Sequence, residues 1–172
     1  MNPGGHNGMM SGITAASVSA VGDGENLGCV QVTLPWSTEV RQQWLPVASP
    51  MAGAERGWFV MPVVGDEVLV AFEQGQFEHG YVIGFLWNKQ HHPPSPDPRQ
   101  RMFRSANGHC IRFVDSPEKN GDKGSLIIED AHKNTIVMTN THITITSRGS
   151  VVIDAPMVTI GGRAVRQVGP PI

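Results

Sequence analysis

Short alternations of apolar and polar residues recur along the last third of the chain, at 134–140, 141–147, 149–155 and 156–162. Their apolar pairs are Ile136 with Met138, Ile143 with Ile145, Val151 with Ile153 and Val158 with Ile160, and successive pairs begin 7, 8 and 7 residues apart. Side chains alternate between the two faces of a strand, so each pair shares one face while Thr, Ser, Asn or Asp take most other positions. The pattern predicts a ladder of short strands separated by turns. A repeat this small cannot enclose a core, so its apolar face must be buried against neighbouring repeats or other chains.

The earlier part of the chain reads as strands too. Residues 13–21 alternate weakly, 22–28 are turn material, and 29–36 alternate through Val30, Val32 and Leu34. A third strand is expected within 42–49, and an apolar run begins at 57–61. A Pro-Val-Val-Gly-Asp turn at 62–66 leads into a strand at 67–72, and a loop at 74–80 leads into another at 81–87. About five strands in under a hundred residues, with no helix beyond a turn or two, predict a small closed or partly open β-barrel. Pro93, Pro94, Pro96 and Pro98 then mark an extended linker. Beyond it, 108–115 and 124–130 read as strands around a polar loop, and the ladder follows. Gly161-Gly162 reads as the end of the last strand, with a Pro-rich segment after it. The expected organisation is an arm at 1–12, a barrel at 13–92, a linker at 93–101, a shaft at 102–162 and a terminal segment at 163–172.

Composition narrows the functional classes. Lys and Arg number 13 and Asp and Glu 15, yet residues 1–98 hold 3 basic against 9 acidic residues and 99–172 hold 10 against 6. The acidic first part argues against nucleic acid, which requires clustered cations to displace counterions. Cys29 and Cys110 lie in aliphatic strand-like contexts and read as buried free thiols. No run approaches the ~20 apolar residues of a membrane-spanning helix. The first residues lack the basic start and apolar stretch of a signal peptide, so synthesis in the cytoplasm is expected.

Candidate chemistry is sparse. Asp66 and Glu67 are adjacent, with Glu73 at the far end of the same strand, but neighbours on a strand point to opposite faces and cannot jointly flank a bond. A turn-capping Asp66 and a solvated Glu67 are expected instead. His91 and His92 lie in the linker region, whereas His109, His132 and His142 are separate. A three-fold axis could gather His132 or His142 into a metal site, but strand alternation predicts outward His beside inward Ile. Trp36, Trp44, Trp58 and Trp87 could stack bases or sugars, although their acidic surroundings favour barrel packing or contact with a partner.

The sequence Trp58-Phe-Val-Met-Pro-Val-Val-Gly-Asp-Glu-Val-Leu-Val-Ala-Phe72, followed by Tyr81-Val-Ile-Gly-Phe-Leu-Trp-Asn88 and a Pro-rich exit, resembles the central spike proteins of contractile injection machines. These are phage baseplate assembly protein V and the valine-glycine-repeat spike of type VI secretion. Val32-Thr-Leu-Pro-Trp36 and Trp44-Leu-Pro-Val-Ala-Ser-Pro50 resemble that family's second and third strands. The resemblance implies an all-β chain: an N-terminal OB-fold barrel forming a trimeric collar, then an intertwined trimeric triple-stranded β-helix, or β-prism.

It also implies a non-enzymatic, membrane-piercing needle within a phage baseplate or injection particle. Its partners would be two further copies, a tail hub above the barrel and, transiently, the target membrane. Some members of the resembled family hold iron at the needle apex through a His-x-His pair, which this sequence lacks, so no cofactor is expected. With no apex pair and an end near the last strand, the resemblance permits a separate tip protein of the proline-alanine-alanine-arginine repeat type. It would seat on Gly161, Gly162, Pro170, Pro171 and Ile172. The expected inward residues of the shaft are Ile136, Met138, Ile143, Ile145, Val151, Ile153, Val158 and Ile160. The rival reading is a monomeric barrel that binds nucleic acid or sugar.

Overall fold

The computed structural model describes residues 12–37, 43–76, 79–117 and 121–165. Most of the expected N-terminal arm, and Pro170, Pro171 and Ile172, lie outside them. The chain forms two units, Met1–Pro93 and Pro94–Ile172. The first contains β1 (Ile13–Val21), β2 (Cys29–Thr33), β3 (Leu45–Pro46), β4 (Ala52–Gly53), β5 (Arg56–Gly57), β6 (Glu67–Phe72) and β7 (Gly80–Leu86). The second contains β8 (Gln100–Arg104), β9 (Cys110–Val114), β10 (Ser125–Glu129), β11 (Thr135–Met138), β12 (Ile143–Thr146), β13 (Thr159–Ile160) and β14 (Arg163–Ala164).

In the first unit an antiparallel sheet runs in the order β3-β2-β1-β6-β7. Val47, just past β3, bridges to Val82 of β7 in parallel, and the Ala48 amide donates to the Val82 carbonyl at 2.8 Å. This link closes the sheet into a barrel. Register shifts at Val18/Ala20 in β1 and at Leu69/Val70 between β6 and β7 bend the strands enough to close so small a ring. Alternation then decides what fills it: Val30, Val32, Leu45, Val68, Val70 and Val82 are fully buried, joined by Ala16, Val18, Leu34 and Phe72. The third strand expected within 42–49 is shorter than its apolar pattern, because only Leu45 and Pro46 pair before the chain crosses to β7. The run after Gly57 forms no strand; 56–57 instead close a small hairpin with 52–53.

In the second unit β8 to β12 form a meander, each strand antiparallel to its sequence neighbours. The meander begins inside the stretch expected to be linker. Gln100 and Arg101 pair with Val114 and Phe113, and the Gln100 amide donates to the Asp97 carbonyl at 3.0 Å. Asp97 turns the chain into β8 by accepting from the Arg99 amide at 3.0 Å and pairing with its guanidinium. That guanidinium holds the Asp97 carboxyl below its ordinary range.

Two expectations for the end of the ladder are corrected. Residues 149–155 form no strand, because the chain supplies no backbone partner for them among the described residues. Gly161-Gly162 does not end the last strand: it is the two-residue turn of the hairpin joining β13 to β14. Its residues have φ of 59° and 77°, the left-handed pair that such a tight hairpin requires and that glycine adopts without strain.

Candidate assembly surface

Registers across the meander align its apolar residues in rows. Phe103 faces Ile111, which faces Ile128, then Ile136, then Ile145. Two residues along each strand, Arg101, Phe113, Leu126, Met138 and Ile143 form a second row on the same face. Nine of these ten positions are apolar. In a sheet with a second layer such rows are the core. Here Phe103, Ile111, Phe113, Ile128, Met138, Ile143 and Ile145 are 38–71% exposed, and Cys110 is the one buried hydrophobic of the second unit among the described residues.

The opposite face is mixed. Arg112 pairs with Glu129 at 3.5 Å, and Lys133 reaches the same carboxylate at 3.0 Å. The Lys133 hydrogen bond holds the Glu129 carboxyl below its usual range. Thr135, Thr144 and Thr146 share this face. The sheet thus has one mixed face, with Met102, Val114, Ile127 and Val137 half-buried among these polar groups, and one face carrying the nine large apolar side chains.

The expected inward residues divide into groups. Ile136, Met138, Ile143 and Ile145 are brought together on the apolar face, as directly opposed pairs Ile136/Ile145 and Met138/Ile143. Val151 and Ile153 lie in the unpaired stretch and are exposed. Val158 and Ile160 belong to the terminal hairpin, where the Val165 amide donates to the Val158 carbonyl at 2.7 Å. The sequence reading missed Phe103, Ile111, Phe113, Leu126 and Ile128. The signal was present at Ile111-Arg-Phe113 and Leu126-Ile-Ile128, which alternate with the same period of two.

Family comparison gives this two-part architecture a context. Residues 14–87 match the type VI secretion system/phage-baseplate injector OB domain, and residues 100–166 match the phage baseplate V C-terminal trimerisation domain. The chain belongs to the phage-baseplate V family. Its barrel is therefore an OB-type domain, and the exposed sheet lies within a trimerisation domain. The type VI secretion system spike proteins VgrG2a and VgrG2b of Pseudomonas aeruginosa are each 30% identical to it over 90 residues, 46% of this chain. VgrG3 of Vibrio cholerae is 29% identical over 92 residues, 49% of the chain. The matches cover only 9–11% of those relatives' lengths. This kinship supports a structural role in the spike of a contractile system.

The remaining candidates of this family member are occupied structurally. Asp66 caps its turn, accepting from the Val63 amide at 2.9 Å. Glu67 is half-buried rather than solvated, because it accepts from the Asn88 amide group at 2.8 Å. Glu73 accepts from the Tyr81 hydroxyl at 3.3 Å. His132 lies in the β10–β11 turn, where its amide donates to Asp130 at 2.8 Å; His142 is exposed and contacts the Thr141 hydroxyl at 2.6 Å. Among the described residues no group of three His, Cys, Asp or Glu side chains could hold a metal ion. Trp36, Trp58 and Trp87 are exposed and Trp44 is half-buried. Trp58 lines a cleft of about 610 Å³ with Leu27, Met51, Phe59 and Met61. No helix among the described residues is long and apolar enough to cross a membrane.

Proposed function

We propose that the chain is a homotrimeric, non-enzymatic spike component whose second unit forms the shaft and whose barrel joins that shaft to the tail hub. The observation that carries this reading is the apolar face of the meander, which no strand of its own unit covers among the described residues. Three copies around one axis would bury it three times over. Each large aliphatic or aromatic side chain contributes about 1.5–3 kcal/mol on burial, so nine positions per copy yield tens of kcal/mol before the entropy of ordering is subtracted. The mixed face, which carries the Thr residues and the ion pairs, then remains outside.

In the assembled machine the work is mechanical. A narrow trimer with closely spaced interchain contacts resists shear, and contraction of the surrounding tail drives it into the target envelope. A separate tip protein seats on Gly161-Gly162 together with Pro170, Pro171 and Ile172. Native mass measurement on the full chain tests the core of the proposal. A mass three times that of one chain is expected, and a stable monomer at micromolar concentration overturns it.

A further inference from the structure

The last strand of the barrel ends at Leu86, yet the chain does not leave there. Asn88 folds it into a tight turn: its side-chain oxygen accepts from the Gln90 and His91 amides, each at 2.8 Å, and its own backbone amide donates to the His91 carbonyl at 3.0 Å. An Asn whose oxygen takes two successive amides still has its NH2 group to offer outward. Here that group donates to the Glu67 carboxylate at 2.8 Å, and both residues are half-buried. A second tie runs beside it, with His91 Nδ1 3.6 Å from Asp66 Oδ1.

Both anchors belong to the barrel wall. Glu67 opens β6 and lies opposite Ser17 of β1 and Leu86 of β7. Asp66 is held by its backbone, whose carbonyl accepts from the Val18 amide at 2.9 Å and whose amide donates to the Val63 carbonyl at 3.0 Å, while its Oδ2 takes the Val63 amide. Neighbours of opposite orientation cannot grip one group, but the turn presents two, Asn88 to Glu67 and His91 to Asp66. The adjacent carboxylates thus share a structural task. A pull on the outgoing chain is borne by β6 as well as by β7, and the chain is held as far as His91.

The two ties differ in what controls them. The Asn88 amide group carries no titratable proton, so its bond persists wherever the Glu67 carboxylate is ionised. The His91 contact is too long for a hydrogen bond, and it becomes an ion pair only when the imidazole takes its second proton, a change histidine makes between about pH 5 and 8. Few other charges bear on it. Glu67 stands on the β6 side, Lys89 and His92 are exposed on the outgoing segment, β1 holds no titratable residue, and β7 holds Tyr81, which is engaged with Glu73.

We infer that Asn88 and His91 form a clasp on the outgoing chain, and that protonation of His91 tightens it onto Asp66. The Asn88 tie sets the direction of exit, whereas the His91 tie is added on acidification and is lost as pH rises. With side chains 46% and 32% exposed, solvent screens the pair, so the tightening amounts to about two- to fivefold in the ratio of closed to open turn. The clasp lies wholly in the first unit and does not rest on the trimer.

Amide exchange on the full chain, resolved by NMR and divided at each pH by the free-peptide rate, reads that ratio, because the Gln90 and His91 amides are closed only while they donate to Asn88. Their protection is expected to be about two- to fivefold greater at pH 5.5 than at pH 7.5. His91→Gln, at an exposed position, is expected to abolish this response. Asp66→Asn, whose side-chain oxygen can still accept from the Val63 amide, is expected to do the same. Equal protection of the unaltered chain at both pH values overturns the inference, as does a response that survives in His91→Gln or in Asp66→Asn.

Discussion

The barrel and the meander are written in the same alternating code and reach opposite ends. Strand β6 alternates half-buried and buried residues over Glu67–Phe72, whereas all four residues of β12 are exposed. The difference lies in curvature. Bulges in β1 and between β6 and β7 bend the barrel sheet until Val47 meets Val82, and the apolar face closes on itself. The registers of β8 through β12 run without a shift, and among the described residues that sheet stays open, with β8 and β12 at its edges. Self-sufficiency in the first unit and dependence in the second thus follow from a few residues of register, not from how apolar the strands are.

The comparison predicts that damage in one unit should not carry into the other. The largest effect is expected from Ile145→Asp, which would place three unpaired carboxylates around the axis. The cost is at least about 3 kcal/mol per chain by analogy with broken buried pairs. Native mass should then show a monomer with an intact barrel, while Thr144→Asp, on the other face, should remain trimeric. Leu45→Ala, in the barrel core, should cost about 2–5 kcal/mol of barrel stability in denaturant titration and leave the trimer mass unchanged. A trimer lost through Leu45→Ala would show that the units are not independent.

Gly124→Ala should be felt in the meander alone. Gly124 has φ of +88°, and an added Cβ would fall 1.8 Å from the Val114 carbonyl oxygen, so the turn before β10 must move. A loss of about 1–3 kcal/mol is expected in thermal unfolding of the second unit. The smallest effect is acid sensitivity. Hydrogen bonds from Arg99 to Asp97, from the Gly124 amide to Asp122, from Lys133 to Glu129 and from Asn134 to Asp130 each hold the carboxyl below its ordinary value. Stability from these groups is fully present above the ordinary carboxylate range near ~4 and is lost as pH falls through the lowered values. Melting curves at pH 7 and stepwise below ~4 should show a modest decline, screened by solvent at these exposed positions.

Much of this was legible in the sequence, and the gaps have physical causes. Val30-Gln-Val32 and Val68-Leu-Val70 declare both strand and inward face because each core residue is flanked by residues of the opposite face. β8 was concealed because Arg101 and Arg104 flank Met102-Phe103, directly after a Pro-rich stretch. The hairpin at Gly161-Gly162 has only two residues per arm, too few for a period to register. At 149–155 periodicity named a face, but a strand also needs a backbone partner, and none lies among the described residues. The four residues of the expected inward set that the meander gathers are those whose partners lie in adjacent strands of the same chain.

The neighbour-to-neighbour order of β8 through β12 also has a kinetic meaning. Each pairing closes only a short connection, so the entropic barrier to forming the sheet is low and the sheet can arise in an isolated chain within the time of hairpin formation. Contacts between copies must wait for collisions. Assembly should therefore separate into a fast step independent of dilution and a slower one that scales with protein concentration, with the finished sheet as the species that waits.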